Sequence, residues 1–365
     1  MPAGSASPRT RTSSRTRRRS SSHRSCSPSS TRRGRASRRP RAPGARRRPA
    51  HRPDEGRPRA SVLPSGRARR RPAASEAGVR DMTATDVQVR RGFVLGPDGH
   101  IEYREAGPRR ESGKRPLLLL HALPQSSRMY LPHMERLSGE RRVIAWTMPA
   151  CGDSDRPPTP YTTLDEFAQA AVWLLDGLGI DRTDLFATHT GSAVAIALAA
   201  NHPERLGSIV VQEVYSYGAT ENGPARLHRA HHYFPLRADG GHLLEIWRRH
   251  GGENPGADLY RVMETVVEHL KINSDEGVQD LYGDTGWEGS APYGMLRYDY
   301  WSALPRIQAR ALILHGSGSP LGEQHDRFVE GIPNATGMRP ESPSLLNINN
   351  DPERFARIVL DFLDG

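Results

Sequence analysis

The sequence predicts an α/β domain in which a mostly parallel, doubly wound sheet carries a helical lid insertion. Short apolar runs such as Pro116–Leu120 are typical of strands buried on both faces of a parallel sheet. From residue 84 onwards, such strands alternate with segments of helical periodicity. The alternation stops over residues 216–296 and then resumes, which predicts an insertion over the carboxyl edge of the sheet.

The predicted core lies on both sides of this insertion, at residues 85–215 and 297–365, with residues 216–296 as a helical cap. A hairpin opens it, with the turn Gly96–Gly99 between two strands. Strands are predicted at Val87–Val94, Ile101–Glu105, Pro116–Leu120, Arg142–Trp146, Asp184–Ala187, Gly207–Val214 and Ala309–His315. Helices are predicted at Thr163–Leu178, Gly191–Asn201, Gly241–His250, Ala257–Leu270 and Pro352–Leu363.

The net charge of +11 is confined to the N-terminal fifth of the 365-residue chain. Residues 1–80 hold 24 Arg and three acids, whereas the rest holds 28 basic and 38 acidic residues. The first 80 residues contain no aromatic side chain, so they cannot bury enough apolar surface to offset chain entropy. We therefore expect residues 1–84 to be disordered.

Two interpretations of this segment remain open. It is either a basic arm that contacts nucleic acid or anionic lipid, or a stretch that arises from a misplaced start codon. We favour the second, because 50 Arg against two Lys is typical of a GC-rich frame, and Met82 stands just before the first strand.

Targeting, membrane and metal signals are absent from the sequence pattern. No apolar core of a signal peptide follows the first arginines, and no apolar run approaches the 18 residues of a membrane span. Cys26 and Cys151 lie in different regions and have no metal-ligand spacing. We expect a cytoplasmic protein with a small-molecule substrate and no cofactor or metal, in which nucleic acid could bind only through residues 1–80.

Four motifs carry a family resemblance. They are Leu118-Leu-Leu-His-Ala-Leu-Pro124, Pro149-Ala-Cys-Gly-Asp-Ser154, Leu185-Phe-Ala-Thr-His-Thr-Gly-Ser-Ala-Val-Ala195 and Asn201-His-Pro-Glu-Arg-Leu206. Together they resemble the α/β-hydrolase fold, in the branch of epoxide hydrolases, haloalkane dehalogenases and C–C hydrolases. The resemblance covers nearly all of the chain after residue 84. It implies a nucleophile elbow, a triad and a backbone oxyanion hole.

The elbow is the most unusual part of this resemblance. Ala187 and Gly191 are the small neighbours that the strained turn requires, so the apex is His189 where the family has Ser, Asp or Cys. Uncharacterised members of the superfamily have a similar His-Thr-Gly elbow. The family positions of the acid and the histidine correspond to Ser319 and Leu345, neither of which can fill its role. Ordinary serine hydrolysis is therefore not expected.

A replacement acid is available at the end of the strand after the elbow. Glu213 occupies the place of the acid in some haloalkane dehalogenases, and we hypothesise that it orients His189 and raises its basicity. Alternatively, Glu213 caps the sheet edge or pairs with a lid arginine. The predicted oxyanion donors are the N–H groups of Leu123 and Thr190.

Other side chains have both a functional and a structural interpretation. His121 is a pocket residue or, as we favour, a brace of its loop, while Ser192 and Cys151 are interpreted as packing residues rather than nucleophiles. Further predicted pocket residues are Tyr215, Tyr217 and Trp301.

Three functional hypotheses follow from the sequence. The first is an enzyme in which His189 acts as general base on a small organic molecule. The second is a ligand-binding protein without catalysis, because a fold alone does not give a function. The third, nucleic-acid binding, depends on residues 1–80 being made.

Overall fold

The computed structural model describes residues 87–108, 113–273 and 287–365. The predicted basic segment 1–84 and Met82 lie outside these residues, so the hypotheses on them stay predictions. The N-terminal boundary of the first core segment at residue 85 also lies outside, whereas the rest of the predicted core and most of the insertion fall within the described ranges.

Within those ranges, eight strands form one sheet in the order β1-β2-β4-β3-β5-β6-β7-β8. The strands are β1 (Arg90–Gly96), β2 (Gly99–Ala106), β3 (Leu117–Leu120), β4 (Val143–Trp146), β5 (Thr183–Thr188), β6 (Leu206–Gln212), β7 (Arg310–Leu314) and β8 (Ala335–Met338). β2 is antiparallel to both β1 and β4, and the remaining neighbours are parallel. This sheet confirms the predicted α/β class.

The composition of the strands explains their central position. All four residues of β3 are leucines with no exposed surface, and β4 and β5 are also buried throughout. Burying a leucine side chain completely stabilises the fold by roughly 1.5–3 kcal/mol. Such strands are stable only where helices cover both faces of the sheet.

Ten α-helices surround the sheet in the described part of the chain. They are α1 (Leu131–Leu137), α2 (Leu164–Gly177), α3 (Thr190–Asn201), α4 (Gly223–Ala230), α5 (Gly241–Arg249), α6 (Leu259–Asn273), α7 (Ala291–Arg297), α8 (Tyr300–Ala303), α9 (His325–Gly331) and α10 (Pro352–Asp364). α2 begins as predicted at Thr163, whose hydroxyl accepts from the Glu166 N–H while the Glu166 carboxylate accepts from the Thr163 N–H.

The helices α4 to α8 are inserted between β6 and β7, where the alternation of the sequence stops. α5 and α6 match the predicted helices Gly241–His250 and Ala257–Leu270. They share a small apolar cluster of their own, made by Phe234, Ile246, Val262 and Val266. None of the described helices is both long and apolar enough to cross a bilayer.

Candidate active site

The bend between β5 and α3 is a single residue, His189, as the sequence predicts. Its backbone has φ 48° and ψ −114°, a conformation that residues other than glycine rarely adopt. The bend is fixed by the His189 N–H, which donates to the Gln212 carbonyl at 3.0 Å. It also needs Gly191, because a Cβ at that position would lie 2.3 Å from the Leu120 carbonyl oxygen.

The imidazole of His189 lies on the wall of a cleft of about 790 Å³. It is partly buried and makes no hydrogen bond to the described part of the chain. Loss of hydration lowers the pKa of His189 to about 4, against the attraction of Glu213 and with the help of His231 and His315. The ring is therefore neutral at pH 7 and has a free nitrogen lone pair.

Glu213 lies close enough to His189 to influence its charge, but the predicted hydrogen bond between them is not formed. One carboxylate oxygen accepts from the N–H groups of Gly316 (2.8 Å) and Leu346 (2.7 Å). The other accepts from the Ser319 hydroxyl at 2.5 Å. The alternative interpretation, a cap of the sheet edge, fits these contacts better.

This arrangement has a clear cause in the backbone. Glu213 has φ 53°, which turns its buried side chain away from the line of β6 towards the loops that follow β7 and β8. Ser319, the family position of the acid, supports Glu213 instead of replacing it. Leu345, the family position of the histidine, is 39% exposed and lies on the cleft wall.

Both the core and the insertion contribute to the cleft. The core supplies His189, Leu123 and the loop 344–350, and α6 supplies Thr265 and Glu268. Gln212 also lies on the wall, with its Nε2 donating to the Leu346 carbonyl at 2.5 Å. Its buried Oε1 has no partner in the described chain and can accept a hydrogen bond from a ligand.

The comparisons with known proteins agree with this architecture. Residues 115–234 match the family described as "alpha/beta hydrolase fold". The chain belongs to the α/β-hydrolase-fold superfamily.

Named relatives of this α/β-hydrolase-fold chain are hydrolases. An uncharacterized hydrolase of Saccharomyces cerevisiae is 33% identical over 117 residues, or 32% of this chain and 39% of that protein. A 2-hydroxy-6-oxononadienedioate/2-hydroxy-6-oxononatrienedioate hydrolase of Paraburkholderia phymatum is 25% identical over 287 residues, or 73% of this chain and 92% of that protein. The first curated relatives are matched over only 39% to 40% of their length.

A solved relative shows the shared fold. The meta-cleavage product hydrolase of Pseudomonas fluorescens superposes with a TM-score of 0.57 and 20% sequence identity, covering 75% of this chain and 97% of that one. At that identity, the likeness concerns the fold and not the reaction.

The oxyanion donors of this α/β-hydrolase-fold protein meet beside the bend. The Leu123 N–H points to the Thr190 hydroxyl at 3.4 Å, a long contact. Thr190 is fully buried as the first residue of α3, so its backbone N–H belongs to the unpaired first turn of that helix. The predicted oxyanion role of the two N–H groups stays a prediction.

The predicted pocket residues lie outside the wall of this cleft. His121 is fully buried, with Nε2 accepting from the Met148 N–H at 2.9 Å and Nδ1 lying 3.0 Å from the Ala122 carbonyl. Burial lowers its pKa to about 4. Both ring nitrogens are used, so His121 braces its loop, as we favoured.

The three aromatic residues of that prediction are held by other contacts. Tyr215 donates to Glu323 and stacks edge-on against Tyr217. Trp301 lies beneath the guanidinium of Arg327 at 3.5 Å and packs on Phe328. The prediction that Tyr215, Tyr217 and Trp301 line the pocket is therefore not met at this cleft.

The two potential nucleophiles near the bend are built into the core. The Ser192 hydroxyl is fully buried and donates to the Gln212 carbonyl at 2.7 Å. Cys151 is buried within the main apolar core. Both placements agree with the packing role that the sequence favoured.

Glu268 is a site residue that the sequence analysis missed. It lies on the cleft wall, 5% exposed, and its Oε2 is buried without a hydrogen-bond partner in the described residues. Burial raises its pKa, although Lys271, Ser126 and Arg128 pull it in the opposite direction. The spacing of Glu264 and Glu268 on one face of α6 was the available signal.

The insertion also contains a linear cluster of ionisable side chains. His231 Nδ1 lies 2.7 Å from one Glu288 oxygen, His269 Nε2 lies 2.9 Å from the other, and His250 Nε2 lies 2.8 Å from His269 Nδ1. Burial alone would raise the pKa of Glu288, but the bonds to His231 and His269 lower it to about 2. No group of His, Cys, Asp and Glu suited to a metal ion occurs among the described residues.

Proposed function

We propose that this protein is an enzyme that acts on a small organic molecule, with the neutral imidazole of His189 as general base. The observation that carries the proposal is the position of that ring. It stands at a strained bend, faces a cleft and is not engaged by any described side chain. Strained backbone of this kind persists where the surrounding structure enforces it, and it is concentrated at active sites.

The named relatives support a small-molecule substrate, since they are described as hydrolases of compounds such as 2-hydroxymuconate semialdehyde. In this chain, the family's covalent route has no support, because Ser319 and Leu345 replace the acid and the histidine. The N–H groups of Leu123 and Thr190 stabilise an enolate or alkoxide in the proposal. Proton abstraction, elimination, cyclisation or lyase chemistry follows from a base that forms no acyl intermediate.

The test is turnover of a panel of small esters, epoxides and aromatic ketones by the full chain and by His189→Gln. His202→Gln is the matched control, because His202 ends the same helix at its far end. We expect His189→Gln to lose at least about 100-fold in kcat/KM and His202→Gln to match the wild type. Equal loss in both variants would contradict a specific role for His189.

A second candidate is a ligand-binding protein without catalysis. It is favoured by the full engagement of Glu213, which leaves the imidazole of His189 without an orienting acid. Under this alternative, calorimetry detects binding of panel members by the wild type, no member is turned over, and His189→Gln changes affinity alone.

A further inference from the structure

A buried carboxyl group shares the cleft with His189. Glu268 lies on α6 of the insertion, whereas His189 lies at the end of β5, so the two groups reach the cavity from different parts of the fold. Nothing in the four family motifs points to Glu268, because they all belong to the core.

The surroundings of Glu268 do not explain it as an ordinary ion pair. The nearest cationic atoms are Arg128 Nε at 3.9 Å and Lys271 Nζ at 4.0 Å, both beyond hydrogen-bond distance. Lys271 is closer to Asp153, at 2.8 Å, and Arg128 lies at 3.4 Å from Glu264. A buried carboxylate held so loosely is costly, and a proton on it removes that cost.

We propose that Glu268 is the general acid of this site, and that the substrate is a carbonyl compound with an oxygen leaving group at its β-carbon. The inference rests on the proposed base role of His189. Two titratable groups in one cleft whose environments favour a neutral base and a protonated acid form an acid–base pair. Glu102, which also acts on Glu268, favours the same protonated form.

The reaction balances without any further reagent. His189 takes the proton from the α-carbon, and the electron pair of that C–H bond forms the new C=C bond. The bond between the β-carbon and the oxygen breaks, and the leaving oxygen takes the proton of Glu268. Exchange of one proton with water returns His189 and Glu268 to their starting forms.

The test compares two ketones that differ only in the leaving group. β-Hydroxypropiophenone must lose hydroxide unless an acid protonates it, whereas β-(p-nitrophenoxy)propiophenone loses a phenolate that is stable without a proton. We expect Glu268→Gln in the full chain to eliminate the hydroxy ketone roughly 100-fold or more slowly and the nitrophenoxy ketone within about threefold of wild type. Glu264→Gln, which removes the same charge one turn away, is the control and is expected to resemble wild type on both ketones.

Exchange of the α-protons in D₂O separates this inference from the proposed function. Glu268→Gln is expected to keep the exchange, because the base is intact, and His189→Gln to lose both exchange and elimination. Exchange that survives in His189→Gln contradicts the proposed function. An equal loss of both ketones in Glu268→Gln, or no elimination of either ketone by the wild type, overturns the acid role or the substrate class respectively.

The pH profile gives an independent readout. Elimination of the hydroxy ketone is expected to fall at high pH as Glu268 loses its proton, and this fall is expected to be absent for the nitrophenoxy ketone. The same high-pH fall for both ketones would assign it to another group and overturn the acid role.

Discussion

Replacing Glu213 by glutamine is expected to destabilise the fold far more than it changes the chemistry of His189. The carboxylate accepts three hydrogen bonds, from Gly316, Leu346 and Ser319, and is 1% exposed. Glutamine keeps the shape but replaces one accepting oxygen by an amide that opposes an N–H or O–H donor. A hydrogen bond to a charged group contributes about 1.5–3 kcal/mol, so we expect a loss of about 3 kcal/mol.

The assay is thermal unfolding of the full chain followed by circular dichroism. For a domain of this size, about 3 kcal/mol lowers Tm by roughly 6–12 °C. The control Ser319→Ala removes only one of the three bonds, so we expect about 1.5 kcal/mol and a fall of roughly 3–6 °C. A Glu213→Gln variant with wild-type Tm and no turnover would refute this reasoning and restore the orienting role predicted from the sequence.

Three further outcomes are expected. Gly191→Ala is expected to cost about 1–3 kcal/mol and to lower activity, because its Cβ would meet the Leu120 carbonyl; a wild-type Tm would contradict this. Because the pKa of His121 is lowered to about 4, its unfolded form binds the proton first, and stability falls as pH drops from 6.5 to 4. Between pH 7 and pH 5 this amounts to about 2 kcal/mol, and unfolding in urea at both values, with His121→Gln expected to show a shallower slope, checks it. Turnover by the wild type is expected to fall below about pH 4, where His189 gains a proton, and activity that persists there would exclude His189 as the base.

The bend at His189 could be predicted because its requirements are local. A buried apolar strand, a small residue two positions before the apex and Gly191 two positions after it all lie within a few residues of one another. The same holds for the hairpin around Gly96–Gly99 and for the capped start of α2 at Thr163.

The partners of the site residues could not be predicted, because they come from distant segments. Glu213 bonds to Leu346, 133 residues later in the chain, and its direction depends on a positive φ that the sequence does not reveal. Glu268 lies on a helix whose periodicity was visible, but which face of α6 meets the cleft depends on how the insertion packs. The aromatic residues were assigned to the pocket by their proximity along the chain, whereas packing drew Tyr215 and Trp301 elsewhere.

The engagement of Glu213 has an evolutionary consequence. Its carboxylate already holds the backbone next to Leu345, the position where a relay histidine belongs. An acid that has outlived the histidine it served preserves the mount for that ring, so the loss of the hydrolytic machinery is shallow. For protein engineering, the pair of substitutions His189→Ser and Leu345→His is the shortest path from this chain to an esterase.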